Sequence, residues 1–220
     1  MRFLCISDIH GELTALRAVL ATAERRGYQK ILVAGDLCFP GPVPLETWRA
    51  LQREQAICVQ GVADKALATM DPQRLEELAG DPAQKAMARR FVDARRTVGE
   101  LVLERLRRLP THHRMALEDG RELLLVHGSP EDPTDAITHD LDDDEILALI
   151  GDDPADVIVC GMSHTPFVRE LDGVTVINVG SVGDAPGGGV AHATFIESTS
   201  GGIVIDPIVV PLQDSVAVGT

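Results

Sequence analysis

The sequence predicts an α/β protein, and three observations carry that expectation. Apolar runs at 2–7, 30–34 and 56–60 have the unbroken character of strands covered on both faces. The stretches between them carry helical periodicity, so strand and helix alternate in the rhythm of a parallel sheet with right-handed crossovers. From 166 to 209 the pattern changes to short apolar strands and Gly-rich turns, closer to an antiparallel, α+β arrangement. One domain is expected over 1–220, its parallel half first and its more antiparallel half second, with a helical segment at about 63–109.

The elements follow in order. After the first strand, Leu13, Leu16, Leu20 and Ala23 fall on one helical face, and Gly27 stops that helix. KILVA (30–34) is the second strand, a Pro/Gly loop spans 39–44, and a helix is expected at about 45–54 before strand AICVQ (56–60). Residues 63–109 are rich in Ala, Leu, Arg and Glu, with breaks near Asp71-Pro72 and Asp81-Pro82. RMALEDGRELLLV reads as a hairpin turning at Asp119-Gly120. His112 and His113 lie before it and are expected on the surface. A short helix at about 142–150 and a strand at 156–160 follow.

Two local patterns are read as structural. The acidic run from Asp140 to Glu145 lacks the glycine that a calcium-binding loop needs at its sixth position, and acidic residues suit a helix N-terminus. The glycines at 187–189 lack a following Lys-Ser/Thr and lie between strand patterns, as in a turn.

Composition narrows the classes. Apolar residues make up 45% and charged residues 25%, which suits a globular domain, and aromatics at 3% leave a core of Leu, Val, Ile and Ala. A formal charge of −14 repels phosphate backbones, so nucleic-acid backbone binding is not expected, although a cation can still hold a small phosphorylated substrate. The apolar start, Phe3 to Ile6, is too short for a signal core or a membrane span. Cys5, Cys38, Cys58 and Cys160 show no CxxC spacing and read as reduced, buried residues, which points to the cytoplasm. Oligomeric state is not readable.

The polar residues recur at one structural position. Asp8 and His10 end the first strand, Asp36 the second and Asp64 the third, while His127 follows LLLV and His164 follows the strand at 156–160. Ligands of open α/β sheets bind outside the carboxyl ends of the strands. A single strand-end Asp can simply cap the next helix. The recurrence of carboxylates with imidazoles instead suits a borderline divalent ion such as Mn²⁺, Fe²⁺ or Zn²⁺. In Asp8-Ile9-His10, strand alternation would project both ligands to one side.

These segments resemble the calcineurin-like metallophosphoesterases, in particular their small bacterial phosphodiesterase-like branch. SDIHGELTAL (7–16), AGDLCFPGP (34–42), QGVAD (60–64), LLLVHGSPEDP (124–133), GMSHTPFVRE (161–170) and INVGSVG (177–183) carry the resemblance in the family's order. It implies a four-layer α/β/β/α sandwich of two mixed sheets with two metal ions at the strand ends. The first ion would be held by Asp8, His10, Asp36 and His164. The second would share Asp36 and use His127, an asparagine and a further histidine, but Val62 and Met162 stand at those last two positions. Ala63 replaces a histidine that in many members contacts the phosphate or leaving group, and Asp64 matches an aspartate that orients that neighbour. Valine cannot ligate, and a thioether is a poor match for Mn²⁺.

The expected function is therefore a metal-dependent phosphoesterase that cleaves a phosphomonoester or phosphodiester by metal-activated water, with Asp36 and His127 at the reacting centre. One ion, Mn²⁺ first and Fe²⁺ or Zn²⁺ next, is expected to be tightly held and a second weak or absent. Asp64 is a further candidate for substrate contact. The alternatives are an impaired relative that binds a phosphorylated ligand or protein partner, and a different metal-dependent hydrolysis on the same scaffold.

Overall fold

A computed structural model of the protein describes residues 1–152 and 155–212. Residues 153–154 and 213–220 of the expected 1–220 domain lie outside the described residues. The chain runs β1 (Arg2–Ile6), α1 (Leu13–Arg26), β2 (Lys30–Val33), α2 (Pro44–Arg53), β3 (Ile57–Cys58), α3 (Val62–Thr69), α4 (Pro72–Leu78) and α5 (Pro82–Arg107). It continues through β4 (His112–Ala116), β5 (Glu122–Val126), α6 (Asp143–Ile150), β6 (Val157–Cys160), β7 (Phe167–Leu171), β8 (Val174–Asn178), β9 (Val190–Thr199) and β10 (Gly202–Pro211).

Helix boundaries follow local chemistry. Leu16, Val19, Leu20 and Ala23 bury one face of α1, and Gly27, at φ 75°, donates its N–H to Ala23 at 2.9 Å to close it. The breaks at Asp71-Pro72 and Asp81-Pro82 are helix starts: Asp71 accepts the Gln73 N–H and Asp81 the Gln84 N–H, each at 2.9 Å, with proline in the first turn. The acidic run caps α6 reciprocally. Asp142 accepts from the Glu145 N–H and Glu145 from the Asp142 N–H, both at 2.9 Å.

Two five-stranded sheets form, in the orders β10-β9-β1-β2-β3 and β4-β5-β6-β8-β7. Phe3, Cys5 and Leu32 of the first pack against Leu123, Leu125, Val157 and Ile177 of the second. The outer face of the first sheet (Leu4, Ile6, Ile31, Val33) is covered by α1, α2, α3 and α5, and that of the second (Leu124, Val126, Ile158) by α6. This is the four-layer α/β/β/α sandwich. With Phe3 1% exposed at the centre, truncation to alanine would cost about 3–5 kcal/mol.

The split into a parallel and an antiparallel half does not hold. Each sheet is mixed, with three adjacent parallel strands: β1-β2-β3 at one side of the first and β5-β6-β8 at the centre of the second. β8, in the part expected to be antiparallel, pairs parallel with β6, and β9 and β10 return to the first sheet. An apolar run such as VTVIN specifies burial, not the direction of its partner. β9 and β10 are not short either, at 10 residues each, because they pair with one another along their whole length. A second correction concerns the hairpin. His112 and His113 lie within β4, opposite Val126 and Leu125, and are half-buried rather than on the surface.

Candidate metal centre

The carboxyl ends of β1, β2, β5 and β6 meet at one end of the sandwich and bring Asp8, His10, Asp36, His127 and His164 together. The strand-alternation argument for Asp8 and His10 fails, because both lie beyond β1 in the left-handed region, at φ 52° and 53°. Asp36 (55°), Met162 (67°) and His164 (60°) share that conformation, which non-glycine residues adopt only where the surroundings hold them. Those surroundings are hydrogen bonds between loops. The N–H groups of Asp8, His10 and Gly11 donate to the carbonyls of Gly35, Asp36 and Leu37 at 2.9–3.1 Å, which continues the β1–β2 pairing past the strand ends. Ile9, between the two ligands, is fully buried in the core.

Two glycines permit the close approach. A Cβ at Gly61 would overlap the Asp36 carboxylate and backbone nitrogen, and one at Gly161 would overlap the Ser7 hydroxyl and Asp8 Oδ2.

The ligand-type atoms fall into two groups, Asp8-His10-His164 and Asp8-Asp36-His127, each with its atoms within 4.8 Å of one another. Asp8 thus belongs to both groups, whereas the resemblance assigned the shared position to Asp36. In the first, Asp8 Oδ1 is 3.8 Å from His10 Nε2 and 3.3 Å from His164 Nε2, and the two Nε2 atoms are 3.2 Å apart. In the second, His127 Nε2 is 3.5 Å from Asp36 Oδ2. Such spacings suit atoms that share an ion about 2.1 Å from each.

The ring orientations agree with that use. His10 Nδ1 lies 2.6 Å from the Phe39 carbonyl and His127 Nδ1 2.6 Å from that of Ala34. Carbonyls only accept, so both Nδ1 atoms carry hydrogen and leave the Nε2 lone pairs free for the centre. His127 Nε2 and Asp8 Oδ1 are buried and make no hydrogen bond, although Asp36 Oδ2 lies 3.5 Å from the first and His164 Nε2 3.3 Å from the second. Buried polar atoms in that state are costly, and a cation would satisfy both. The donor set therefore fits the divalent ion that the resemblance implies.

The carboxylates respond differently to burial. Burial pushes Asp8 upward, but the nearby His164 and His127 outweigh it and hold Asp8 below the usual carboxylate range. Asp36 is raised, by burial first and Asp8 next among the raising influences, against His127, His10 and the Ala63 N–H. His164 is raised by Asp8, with Asp184 adding to the effect and burial opposing it.

The changed family positions act through the backbone. The Ala63 N–H donates to Asp36 Oδ1 at 2.8 Å and the Met162 N–H to Asp8 Oδ2 at 2.9 Å. Each carboxylate thus keeps one oxygen for the centre, whatever the side chain at 63 or 162. Val62 opens α3 and is 40% exposed.

Asp64, the candidate substrate contact, does not reach the centre. It is fully buried, with Oδ1 accepting the Leu37 N–H at 3.0 Å and Oδ2 the Gly61 N–H at 3.1 Å. It clamps the two loops that flank Asp36. Burial, then the Asp36 charge, raises its pKa to about 7 against the pull of those N–H groups. His112 is also apart from the centre, with Nε2 3.0 Å from the Pro130 carbonyl.

Several supporting residues escape sequence reasoning. Asp184 Oδ2 lies 3.3 Å from His164 Nδ1. The Ser181 hydroxyl donates to the Asp8 carbonyl at 2.8 Å and accepts from the Asp184 N–H at 2.7 Å. The Asn178 amide donates to the Gly161 carbonyl and Ser163 Oγ at 2.6 and 2.9 Å, fixing the loop that carries His164. Their signal was INVGSVG, which contains Asn178 and Ser181 and is followed directly by Asp184. His192, whose pKa burial lowers, gives no signal in its strand.

Comparison with known proteins bears on the family and the fold. Residues 1–200 match the family model described as the calcineurin-like phosphoesterase superfamily domain. An uncharacterised protein of Methanocaldococcus jannaschii is 27% identical over 182 residues, which cover 80% of this chain and 68% of that one. A hypothetical protein from Pyrococcus horikoshii superposes with a TM-score of 0.82 at 20% identity, over 98% of this chain and 90% of its own. A metallophosphoesterase from Sphaerobacter thermophilus gives 0.72 at 24% identity, over 94% and 88%. At these identities the solved structures are alike in fold.

Proposed function

The chain belongs to the calcineurin-like phosphoesterase superfamily, and on that premise we propose that it is a metal-dependent hydrolase of a phosphomonoester or phosphodiester with one strongly held ion. The observation that carries this reading is the pair of buried atoms without a hydrogen bond, Asp8 Oδ1 and His127 Nε2, within the cluster of ligand-type atoms. A module that only bound a partner would gain nothing from leaving such atoms unsatisfied.

Asp8, His10 and His164 would hold the strong ion, and Asp36 and His127 would border the phosphoryl group. A bound divalent ion supplies neutralisation of the phosphoryl charge and acidifies water towards a pKa of about 7. Mn²⁺ suits the mixed carboxylate and imidazole set, with Fe²⁺ or Zn²⁺ next. The residues around it orient and desolvate. His127 is locked by Ala34, and Asp36 is held by the Ala63 N–H. With alanine at 63, no side chain there contacts the leaving group. The substrate is a small phosphorylated compound, since a −14 chain repels nucleic-acid backbones. No helix among the described residues is long and apolar enough to cross a membrane. The four buried free cysteines support a reducing, cytoplasmic setting.

One observation favours a second reading, a catalytically impaired relative that binds a phosphorylated ligand or protein partner: Val62, Ala63 and Met162 leave the Asp36-His127 group without side-chain donors on one side. Turnover of a chromogenic phosphomonoester and phosphodiester during Mn²⁺ titration separates the two, with Asp36→Asn as control. Turnover that rises with Mn²⁺ and is lost in the variant supports the hydrolase. Metal-loaded protein no more active than the variant supports the binding protein.

A further inference from the structure

The helical segment over α3, α4 and α5 carries no motif, yet it shapes a cavity of about 540 Å³ that reaches the metal centre at Asp36. That volume is in the range of small-ligand sites. Apart from Asp36 and Gln84, every residue lining it is apolar, and none is cationic. Its floor is Ala88 and Phe91, both buried, with Phe91 edge-on to Phe39 at 5.5 Å between ring centres. Its rim carries Met70, Leu78 and Met87, exposed by 43%, 70% and 44%. Large apolar side chains left open around a concave site mark a place where apolar matter binds.

What joins the cavity to the centre is Val62 and Ala63, which line it beside Asp36. These are the positions where the family resemblance leads one to expect an asparagine and a histidine. The two replacements therefore remove polar groups and also make the cavity mouth apolar.

We propose that this cavity receives an apolar ester group of the substrate, so that the chain acts on amphiphilic phosphoesters whose alkyl portion lies over Phe91 while the phosphate sits at Asp36 and His127. This rests on the phosphoesterase reading above. A nucleoside fits poorly, because its ring nitrogens and hydroxyls would be desolvated with Gln84 as the one neutral polar side chain. The methionines give a flexible wall suited to a chain rather than a rigid ring.

The test is a chain-length series from methyl to octyl, kept below micelle-forming concentrations. Binding of alkyl phosphonates is measured by calorimetry, with Mn²⁺ and after chelation. Turnover of p-nitrophenyl alkyl phosphates is measured in parallel: water adds oxygen to phosphorus, the P–O bond to nitrophenolate breaks, and the alkyl phosphate remains. The expected result is a rise of about fourfold per methylene in phosphonate affinity and in kcat/KM. Leu78→Glu, at an exposed position that folding tolerates, flattens that rise, whereas Leu101→Glu, exposed on α5 outside the cavity, does not.

A flat series with turnover intact overturns the cavity assignment and leaves the phosphoesterase reading standing. A rising affinity with no turnover of any ester does the reverse. Equal behaviour of the two glutamate variants also overturns the assignment. So does a flat series in a protein that dimerises in sedimentation and that Leu78→Glu disperses, since the apolar face then belongs to a second copy.

Discussion

The group around His10 and His164 and the group around Asp36 and His127 share Asp8 but are supported in opposite ways. His164 is partly open to solvent and His10 is buried, and each ring is fixed from behind, by Asp184 and the Phe39 carbonyl respectively. Asp36 is about as buried as His10 and His127 is fully buried, but the family positions expected to complete this group, on α3 and after β6, hold Val62, Ala63 and Met162. Burial raises the cost of an unpaired donor or acceptor without supplying a ligand. Coordination needs side-chain donors, which the first group has and the second lacks on one side. The second group survives as a shape because backbone N–H groups of residues 63 and 162 hold the two carboxylates.

The largest effect is expected where the two groups overlap. Asp8→Asn removes the charge common to both. Loss of a group behind a ligand already costs 10–100-fold, so loss of this shared ligand is expected to reduce metal affinity and turnover on the order of a thousandfold. Metal content after dialysis and turnover in saturating Mn²⁺ check this. Retention of one ion per chain would show that the groups are independent and break the comparison.

Asp64→Ala sharpens the comparison next, because it loosens the second group alone. It strips a fully buried acceptor from the N–H groups of Leu37 and Gly61. Two buried unpaired donors at about 1–3 kcal/mol each predict a loss of roughly 2–6 kcal/mol in denaturant unfolding, with the ion at His10 and His164 retained. The stability should also depend on pH. A carboxyl raised to about 7 when folded keeps its proton after the unfolded chain has lost its own. Its protonated form therefore stabilises most below the ordinary Asp value, and that contribution declines as pH rises towards 7. The variant should lack this slope.

Much of this arrangement was legible in the sequence. Asp8, His10, Asp36, His127 and His164 recur at strand ends, and strand-end position survives errors in the pairing of strands. Sheet topology was less legible: VTVIN reads the same whether its neighbour runs parallel or antiparallel, and only the chain's return through β9 and β10 decides which sheet is which. The five left-handed residues at the centre were invisible, since aspartate, histidine and methionine carry no mark of positive φ. Asp64, matched to an orienting aspartate and offered as a possible substrate contact, is fully buried with two backbone partners, a placement that its residue type does not reveal. The apolar cavity had no periodic signature, because it arises from how three successive helices and the loop after β2 pack together.

Restoring side-chain donors tests the second group directly. In the double variant Val62→Asn, Met162→His the backbone N–H groups are unchanged, so the carboxylates should stay in place. A second ion is expected to bind at least about tenfold more tightly, moving metal content from about one to about two per chain. Isothermal titration with Mn²⁺ reads both steps. A single unchanged step would mean that the second group has lost its geometry as well as its ligands.

The smallest effect belongs to Asp184, and its sign follows from His164. Asp8 raises the His164 pKa above the ordinary histidine value, burial opposes, and Asp184 contributes further. Without metal, a protonated His164 therefore stabilises the folded chain fully below the unfolded histidine value, and that contribution is lost as pH climbs through the folded one. Mn²⁺ requires the neutral ring, so its affinity should increase over that same climb and then level off, with a proton released on binding. Asp184→Asn removes one of the charges that raise the pKa, so the midpoint should move to lower pH. It also weakens the support behind the ring, which predicts an affinity loss at high pH of up to about tenfold, at the low end of the range for such partners because Asp184 is 73% exposed. The two changes oppose each other at low pH and separate at high pH, so Mn²⁺ titrations across that range distinguish them. A midpoint that stays put while affinity falls would make Asp184 a support for ring orientation alone. A midpoint that moves with affinity unchanged would make it an electrostatic neighbour, leaving the loop fixed by Asn178 and Ser163 as what orients His164.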